Sequence, residues 1–168
     1  LRFDIEKYAD PEGLKWNRRF SIYDETDSQT LVKEIVTQEM RLDPKKYDPK
    51  KIKWAISNAK NQCLTPNQLE EKADNHFDQI IADIYRKYRI ALSKNNSLDF
   101  DDLLLLPVFL LKQNDSVREY WHKRFRHTLI DEYQDTNRTQ YELIKLITTG
   151  NINSNNFVNW DNRSIFVV

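Results

Sequence analysis

The sequence predicts a mainly α chain that ends in a short, truncated parallel βαβ piece. Three observations carry this. Apolar residues recur at spacings of three and four through most of residues 26–121. Polar capping residues stand before several of those stretches. From Thr128 the pattern changes to two brief unbroken apolar runs separated by one helical stretch.

Taken in order, Thr26-Asp27-Ser28 is a cap for a helix with Leu31, Val32, Ile35 and Val36 on one face. Asp48-Pro49 pairs an N-cap with a proline in the first turn. The helix it opens turns Ile52, Ile56 and Ala59 inward and Lys50, Lys51, Lys53 and Lys60 largely outward. Thr65-Pro66-Asn67-Gln68 matches a capping box. A long helical stretch follows to about Lys94, with a break near Asp74. Its apolar stripe is Phe77, Ile80, Ile81, Ile84, Tyr85, Tyr88 and Leu92. Asn95-Asn96-Ser97 ends it. Another helix begins near Asp99 and carries Leu103 to Leu111, and Asp115 caps a short one with Val117, Tyr120 and Trp121.

Thr128-Leu129-Ile130 is too short for a helix and too apolar for a loop, so it reads as a buried strand. Asn137 caps a helix with Tyr141, Ile144 and Ile147. Asn151 to Asn162 reads as a loop, and Ser164-Ile165-Phe166-Val167-Val168 as a second buried strand. Strand, helix, strand over this length makes the two strands parallel.

Composition excludes several classes. Lys plus Arg and Asp plus Glu are both 26, so any nucleic-acid surface must come from the distribution of charge rather than its sum. The single cysteine, Cys63, excludes an internal disulfide and fits a reducing cytoplasm. No apolar run approaches membrane-spanning length, so no membrane partner is expected. His76, His122 and His127 are scattered, and no structural zinc is expected. The opening Leu1-Arg2-Phe3 lacks Met and a signal pattern, and the chain reads as an excised piece. Gly13 and Gly150 are the two glycines, and neither lies in a loop able to cradle phosphates.

The chemistry concentrates at Asp131 and Glu132. An apolar strand running into two adjacent carboxylates is how a nucleotide-metal site is built: one carboxylate helps hold Mg²⁺ and the neighbour positions or deprotonates water. Asp131 is assigned to the metal and Glu132 to the water. The bland alternative for the bare pair is a solvated Asp-Glu after a strand.

The longer run Asp131-Glu132-Tyr133-Gln134-Asp135-Thr136-Asn137 resembles, residue for residue, the Walker B motif of the UvrD/Rep/PcrA family of superfamily 1 DNA helicases. Leu98-Asp99-Phe100-Asp101-Asp102-Leu103 resembles the segment that precedes it in that family. Phe20-Ser21-Ile22-Tyr23-Asp24 and Ile56-Ser57-Asn58-Ala59-Lys60-Asn61 resemble the start and one helix of the family's inserted helical subdomain. The resemblance covers about Phe20 to Val168, and residues 1–19 align weakly.

The resemblance implies an ATP-dependent DNA helicase that translocates 3′ to 5′, with ATP and Mg²⁺ as cofactors in the full-length parent. Residues 1–125 would be the DNA-facing helical subdomain. Residues 126–168 would be part of a RecA-like P-loop NTPase core. Gln134 would lie near the terminal phosphate and couple its state to DNA binding. Asp135, Thr136 and Asn137 either cap the next helix or touch ligand. For Asp99, Asp101 and Asp102, helix capping is preferred to catalysis.

Partners would be single-stranded DNA, its junction with duplex, the remainder of the helicase chain, and repair or replication proteins. Lys45, Lys46, Lys50, Lys51, Lys53, Lys60 and Asn61 are candidate phosphate contacts, against a plain solvated lysine face. Trp54 and Trp121 are assigned to the core rather than to base stacking. Without a Walker A loop, these residues alone are expected not to hydrolyse ATP. Two other readings stay open: part of a recombination helicase-nuclease, and a non-catalytic helical protein-docking module.

Overall fold

The computed structural model describes residues 1–149 and 163–168. The stretch read as a loop, Asn151 to Asn162, lies outside the described residues. The structure is mostly helical with short parallel strands.

Local chemistry explains where most helices start. Helix α1 (Arg2–Lys7) precedes a short strand β1 (Ser21–Ile22). Helix α2 (Glu25–Glu34) starts one to two residues before the expected cap. Its N-cap is Asp24, which accepts from Asp27 N, while Asp27 accepts from Asp24 N. Such reciprocal capping contributes about 1 kcal/mol. A π-helical turn (Ile35–Glu39) continues it. Helix α3 (Pro49–Asn61) opens on Asp48, whose side chain accepts from Lys50 N at 2.9 Å, with proline in the first turn. Helix α4 (Pro66–Glu71) has the expected Thr65–Gln68 capping box. The expected break is real: α5 (His76–Lys94) restarts on Asn75, which accepts from Asp78 N.

Helix α1 and the β1–β2 pair were not legible in the sequence. Ser97 and Leu98 form a strand, β2, parallel to β1 with Ser21 opposite Ser97 and Ile22 opposite Leu98. The two-residue strands lack the alternation that announces longer ones. Helices α6 (Asp102–Gln113) and α7 (Asp115–Arg124) follow.

Two apolar clusters fill the molecule. One joins α2, the π-helical turn, α3 and α5 through Val32, Val36, Ile52, Ile56, Ile84, Tyr85, Tyr88 and Leu92. The other joins the N-terminal stretch to α6, α7 and α8 (Arg138–Thr149) through Trp16, Phe20, Leu105, Leu111, Val117 and Leu146. Trp16 Nε1 donates to Ser97 O at 2.9 Å. Arg89, buried on α5, pairs with Asp10 and, at 2.6 Å, with Glu12. These contacts fix residues 10–16 onto the helical body.

Strands β3 (His127–Ile130) and β4 (Ser164–Val167) pair in parallel, from His127 opposite Ser164 to Ile130 opposite Val167. The parallel arrangement is the expected one, but the burial is not. Ile130 is buried, whereas Leu129 is 75% exposed and Phe166 and Val167 are also exposed. Leu129 and its partner Phe166 lie on the open face of this two-stranded ribbon, while Val167, on the face of Ile130, is exposed as well. Among the described residues, no helix is long and apolar enough to cross a membrane.

Candidate functional site

Strand β3 delivers Asp131 and Glu132 at its carboxyl end. The chain then turns sharply through a 3₁₀ turn (Tyr133–Asp135) into α8. Glu132 has φ +51°, in the left-handed region, where a non-glycine residue costs about 1–2 kcal/mol. Asp131 Oδ1 accepts from Glu132 N at 3.0 Å, and Gln134 Nε2 donates to Glu132 Oε2. The three side chains assigned to the site are therefore neighbours. Asp131, Glu132 and Gln134 are all exposed.

The acidic pair borders a cleft of 360 Å³, walled by Leu104 of α6, Ile130, and Leu143 and Ile144 of α8, with Thr136 and Gln140 at its polar side. Among the described residues, no group of three or more His, Cys, Asp or Glu could hold a metal ion. The donor set nevertheless fits Mg²⁺, which keeps most of its waters and takes one or two carboxylates plus phosphate oxygens. Asp131 has one oxygen engaged by Glu132 N and is open to solvent. Asn137 acts as a cap: its side chain accepts from Gln140 N at 2.9 Å, and Gln140 accepts from Asn137 N.

The candidate DNA contacts divide. Lys45, Lys46, Lys50 and Lys51 are exposed. Lys53 and Lys60, expected to point largely outward, are instead buried, at 5% and 0% exposure. Lys60 Nζ lies 2.8 Å from both Asp99 oxygens and 2.7 Å from Asp102 Oδ1. Lys53 Nζ lies 3.7–3.9 Å from Asp101, Glu25 and Asp99. Helical spacing explains the correction. Lys60 is four residues after Ile56 and Lys53 three before it, so both fall on the buried stripe of α3. The ends of these side chains meet the acidic cluster that opens α6. Asn61 is also committed, accepting from Asn137 Nδ2 at 2.8 Å.

The capping expectation for the acidic cluster holds only in part. Asp99 does accept from Asp102 N, at 3.0 Å. Its larger engagement is with Lys60 and with Tyr88, whose hydroxyl donates at 2.9 Å. Burial opposes charge on Asp99, but the two lysines outweigh it and hold its carboxyl below the usual range. Burial, reinforced by the neighbouring Asp99 charge, instead pushes the Asp102 carboxyl up to about 6. For Lys60, burial favours the neutral amine, yet Asp102 and Asp99 raise it above the ordinary lysine value.

Trp54 departs from its assignment to the core: it is 71% exposed on α3. Trp121 is partly buried, donating Nε1–H to Asp4 at 3.1 Å and stacking on Phe125.

Comparison with known proteins agrees with the motifs. The family model described as UvrD/REP helicase N-terminal domain matches residues 2–168, including the N-terminal stretch where the motif resemblance is weak. The chain is 43% identical over 154 residues to the ATP-dependent DNA helicase Rep of Buchnera aphidicola subsp. Schizaphis graminum, covering 91% of this chain and 23% of that protein. It is 43% identical over 145 residues to the ATP-dependent DNA helicase PcrA of Bacillus subtilis, covering 86% and 19%. The PcrA of Staphylococcus aureus is 37% identical over 145 residues, covering 86% and 20%. The chain thus spans less than a quarter of the length of these relatives. With motifs, family model and relatives in agreement, the chain belongs to the UvrD/REP helicase family, within its N-terminal domain.

Proposed function

We propose that the protein carrying this chain is an ATP-dependent DNA helicase of the UvrD/Rep type, moving 3′ to 5′ on single-stranded DNA in repair or replication. The observation that carries this reading is the Asp131–Glu132 pair. It stands at the end of β3 beside a cleft, with Glu132 in a left-handed conformation and Gln134 bonded to it. The names of the relatives support it.

On this reading Asp131 holds Mg²⁺, which when bound neutralises charge on the nucleotide phosphates. Glu132 orients water and accepts its proton. Gln134, in contact with Glu132, senses the terminal phosphate. Residues 126–168 belong to a RecA-like ATPase core and residues 1–125 to an inserted helical subdomain that faces DNA. These 168 residues contain no phosphate-cradling glycine loop, so the chain by itself does not turn over ATP. The cytoplasm, where DNA and a reduced Cys63 coexist, is the proposed compartment.

DNA is proposed to meet the exposed side of α3, where Lys50 and Lys51 precede Trp54 by about one turn. Such lysines hold phosphates, and an exposed indole stacks on a base.

The test is Glu132→Gln in the full-length protein. ATP binding is retained and turnover falls at least about a hundredfold, the scale of a lost general base. Turnover at the wild-type rate contradicts the assignment.

A further inference from the structure

The last turn of α3 is fastened to the first turn of α8, just beyond the acidic pair. Thr139 is buried, and its hydroxyl donates to Lys60 O at 2.5 Å and accepts from Cys63 N at 3.1 Å. The chain reverses at Cys63, φ +59°, which presents that N–H to Thr139. Asn137 Nδ2 donates to Asn61 Oδ1 at 2.8 Å. Its other amide atom is already used, because Asn137 Oδ1 accepts from Gln140 N to cap α8. Capping therefore fixes which end of the amide faces α3.

The same turn of α3 is held from its other side, where Lys60 Nζ meets Asp99 and Asp102. Helix α3 is thus clamped between α6 and α8. At 1.5 Å per residue it is a rod of about 20 Å. Its exposed lysines and Trp54 lie in its first half, and its last turn grips the segment that begins at Asp131. Asn137 is separated from Glu132 only by the turn Tyr133–Asp135 and Thr136. A displacement of α3 is passed to that segment through direct hydrogen bonds rather than through a flexible loop.

We propose that Thr139 and Asn137 are positioning residues that couple DNA on the exposed face of α3 to the Asp131–Glu132 pair. The inference rests on the reading of the protein as a DNA-dependent ATPase. Neither residue touches nucleotide in this role: they set where the acidic segment sits relative to α3. DNA-stimulated hydrolysis then depends on them, and DNA-independent hydrolysis does not.

The experiment measures ATP hydrolysis by the full-length protein with and without single-stranded DNA. Thr139→Val keeps the shape and removes the hydroxyl, and Thr139→Ser keeps the hydroxyl. Thr139→Val lowers the DNA-stimulated kcat about fivefold or more, the lower end of usual coupling strengths. The DNA-free rate, the KM for ATP and the affinity for DNA stay within about twofold, well under that coupling. Thr139→Ser restores stimulation. Asn137→Ser retains a good cap for α8 but removes the amide that reaches Asn61, and it loses stimulation in the same way. This second variant decides the matter if Thr139→Val does not fold. Wild-type stimulation in Asn137→Ser overturns the proposal, as it does in a folded Thr139→Val. An equal fall in the DNA-free rate also overturns it, by showing a general structural role. Absence of any DNA-stimulated hydrolysis in the wild-type protein is a different failure: it removes the functional reading itself, and this inference with it.

Discussion

Lys60 Nζ stands 2.8 Å from both carboxylate oxygens of Asp99, with neither side chain more than 2% exposed. This contact joins the Ile-Ser-Asn-Ala-Lys-Asn helix to the Leu-Asp-Phe-Asp-Asp-Leu segment, two motifs separated by the whole of α4 and α5. Removing the ammonium leaves Asp99 buried beside Asp102. Lys60→Met is expected to destabilise the fold by about 3–5 kcal/mol, the cost of breaking a buried pair from one side. Replacing Asp99 and Asp102 by Asn in the same chain returns much of that loss. Urea denaturation checks both, and a loss below about 1 kcal/mol for Lys60→Met would place this pair with the weak surface ones.

The same cluster gives the fold a pH signature. The Asp102 carboxyl is raised in the folded state to about 6. A group raised on folding contributes its stability in full below the unfolded value, near 4, and loses it as pH rises through the folded value. Asp102→Asn imitates the protonated form at every pH. From pH 7 to pH 4.5, the wild type should gain on the order of 2 kcal/mol relative to Asp102→Asn. Parallel stability curves for the two proteins contradict this. Asp99 works in the opposite sense: its depressed carboxyl supplies stability above pH 4 that is lost on further acidification.

Two tryptophans with the same chemistry have different surroundings. Trp16 is 4% exposed and bonded to Ser97 O, whereas Trp54 is 71% exposed. Trp16→Ala is expected to cost about 3–5 kcal/mol, and Trp54→Ala to fall within about 0.5 kcal/mol of the wild type. Thermal or urea unfolding of the two variants measures the contrast. A large loss for Trp54→Ala would show that the indole packs in solution and is not free to meet a base.

Glu132 holds a left-handed backbone, φ +51°. Glu132→Gly removes the Cβ conflict at the cost of a freer unfolded chain, for a net gain of about 0.5–1 kcal/mol. On the proposed reading, the same substitution is expected to abolish ATP turnover in the full-length protein. Stability gained where activity is lost identifies strain kept for function. Unfolding curves for this chain, paired with a turnover assay on the parent, measure both sides. A destabilised Glu132→Gly variant contradicts the strain argument.

What the sequence made legible follows from how local each signal is. The caps at Asp48, Thr65 and Asn137 depend on side chains reaching backbone groups two or three residues away, and each is found where it was expected. The parallel pairing of β3 and β4 follows from the intervening helix. Lys53 and Lys60 are buried because periodicity, not residue type, sets the face of a helix. Lys53 and Lys60 share the face of Ile52 and Ile56, and the acids that compensate them lie about forty residues away in sequence. Trp54 is the converse case, an aromatic on a helix that lies outside the core. At the acidic pair the residues were legible but the backbone strain was not, because left-handed φ at a glutamate leaves no mark in the sequence.

Helix α3 thus has two working sides: Lys53 and Lys60 hold the fold, while Lys50, Lys51 and Trp54 face outward. The most direct measurement of that division is binding of this chain to a duplex with a 3′ single-stranded tail across a salt series. The wild type and a Lys50→Ala, Lys51→Ala variant are compared. The account predicts salt-dependent binding whose slope falls by about 2 in the variant, one counterion per lost phosphate contact, with stability unchanged. An unaltered slope, or no binding even at low salt, would contradict it.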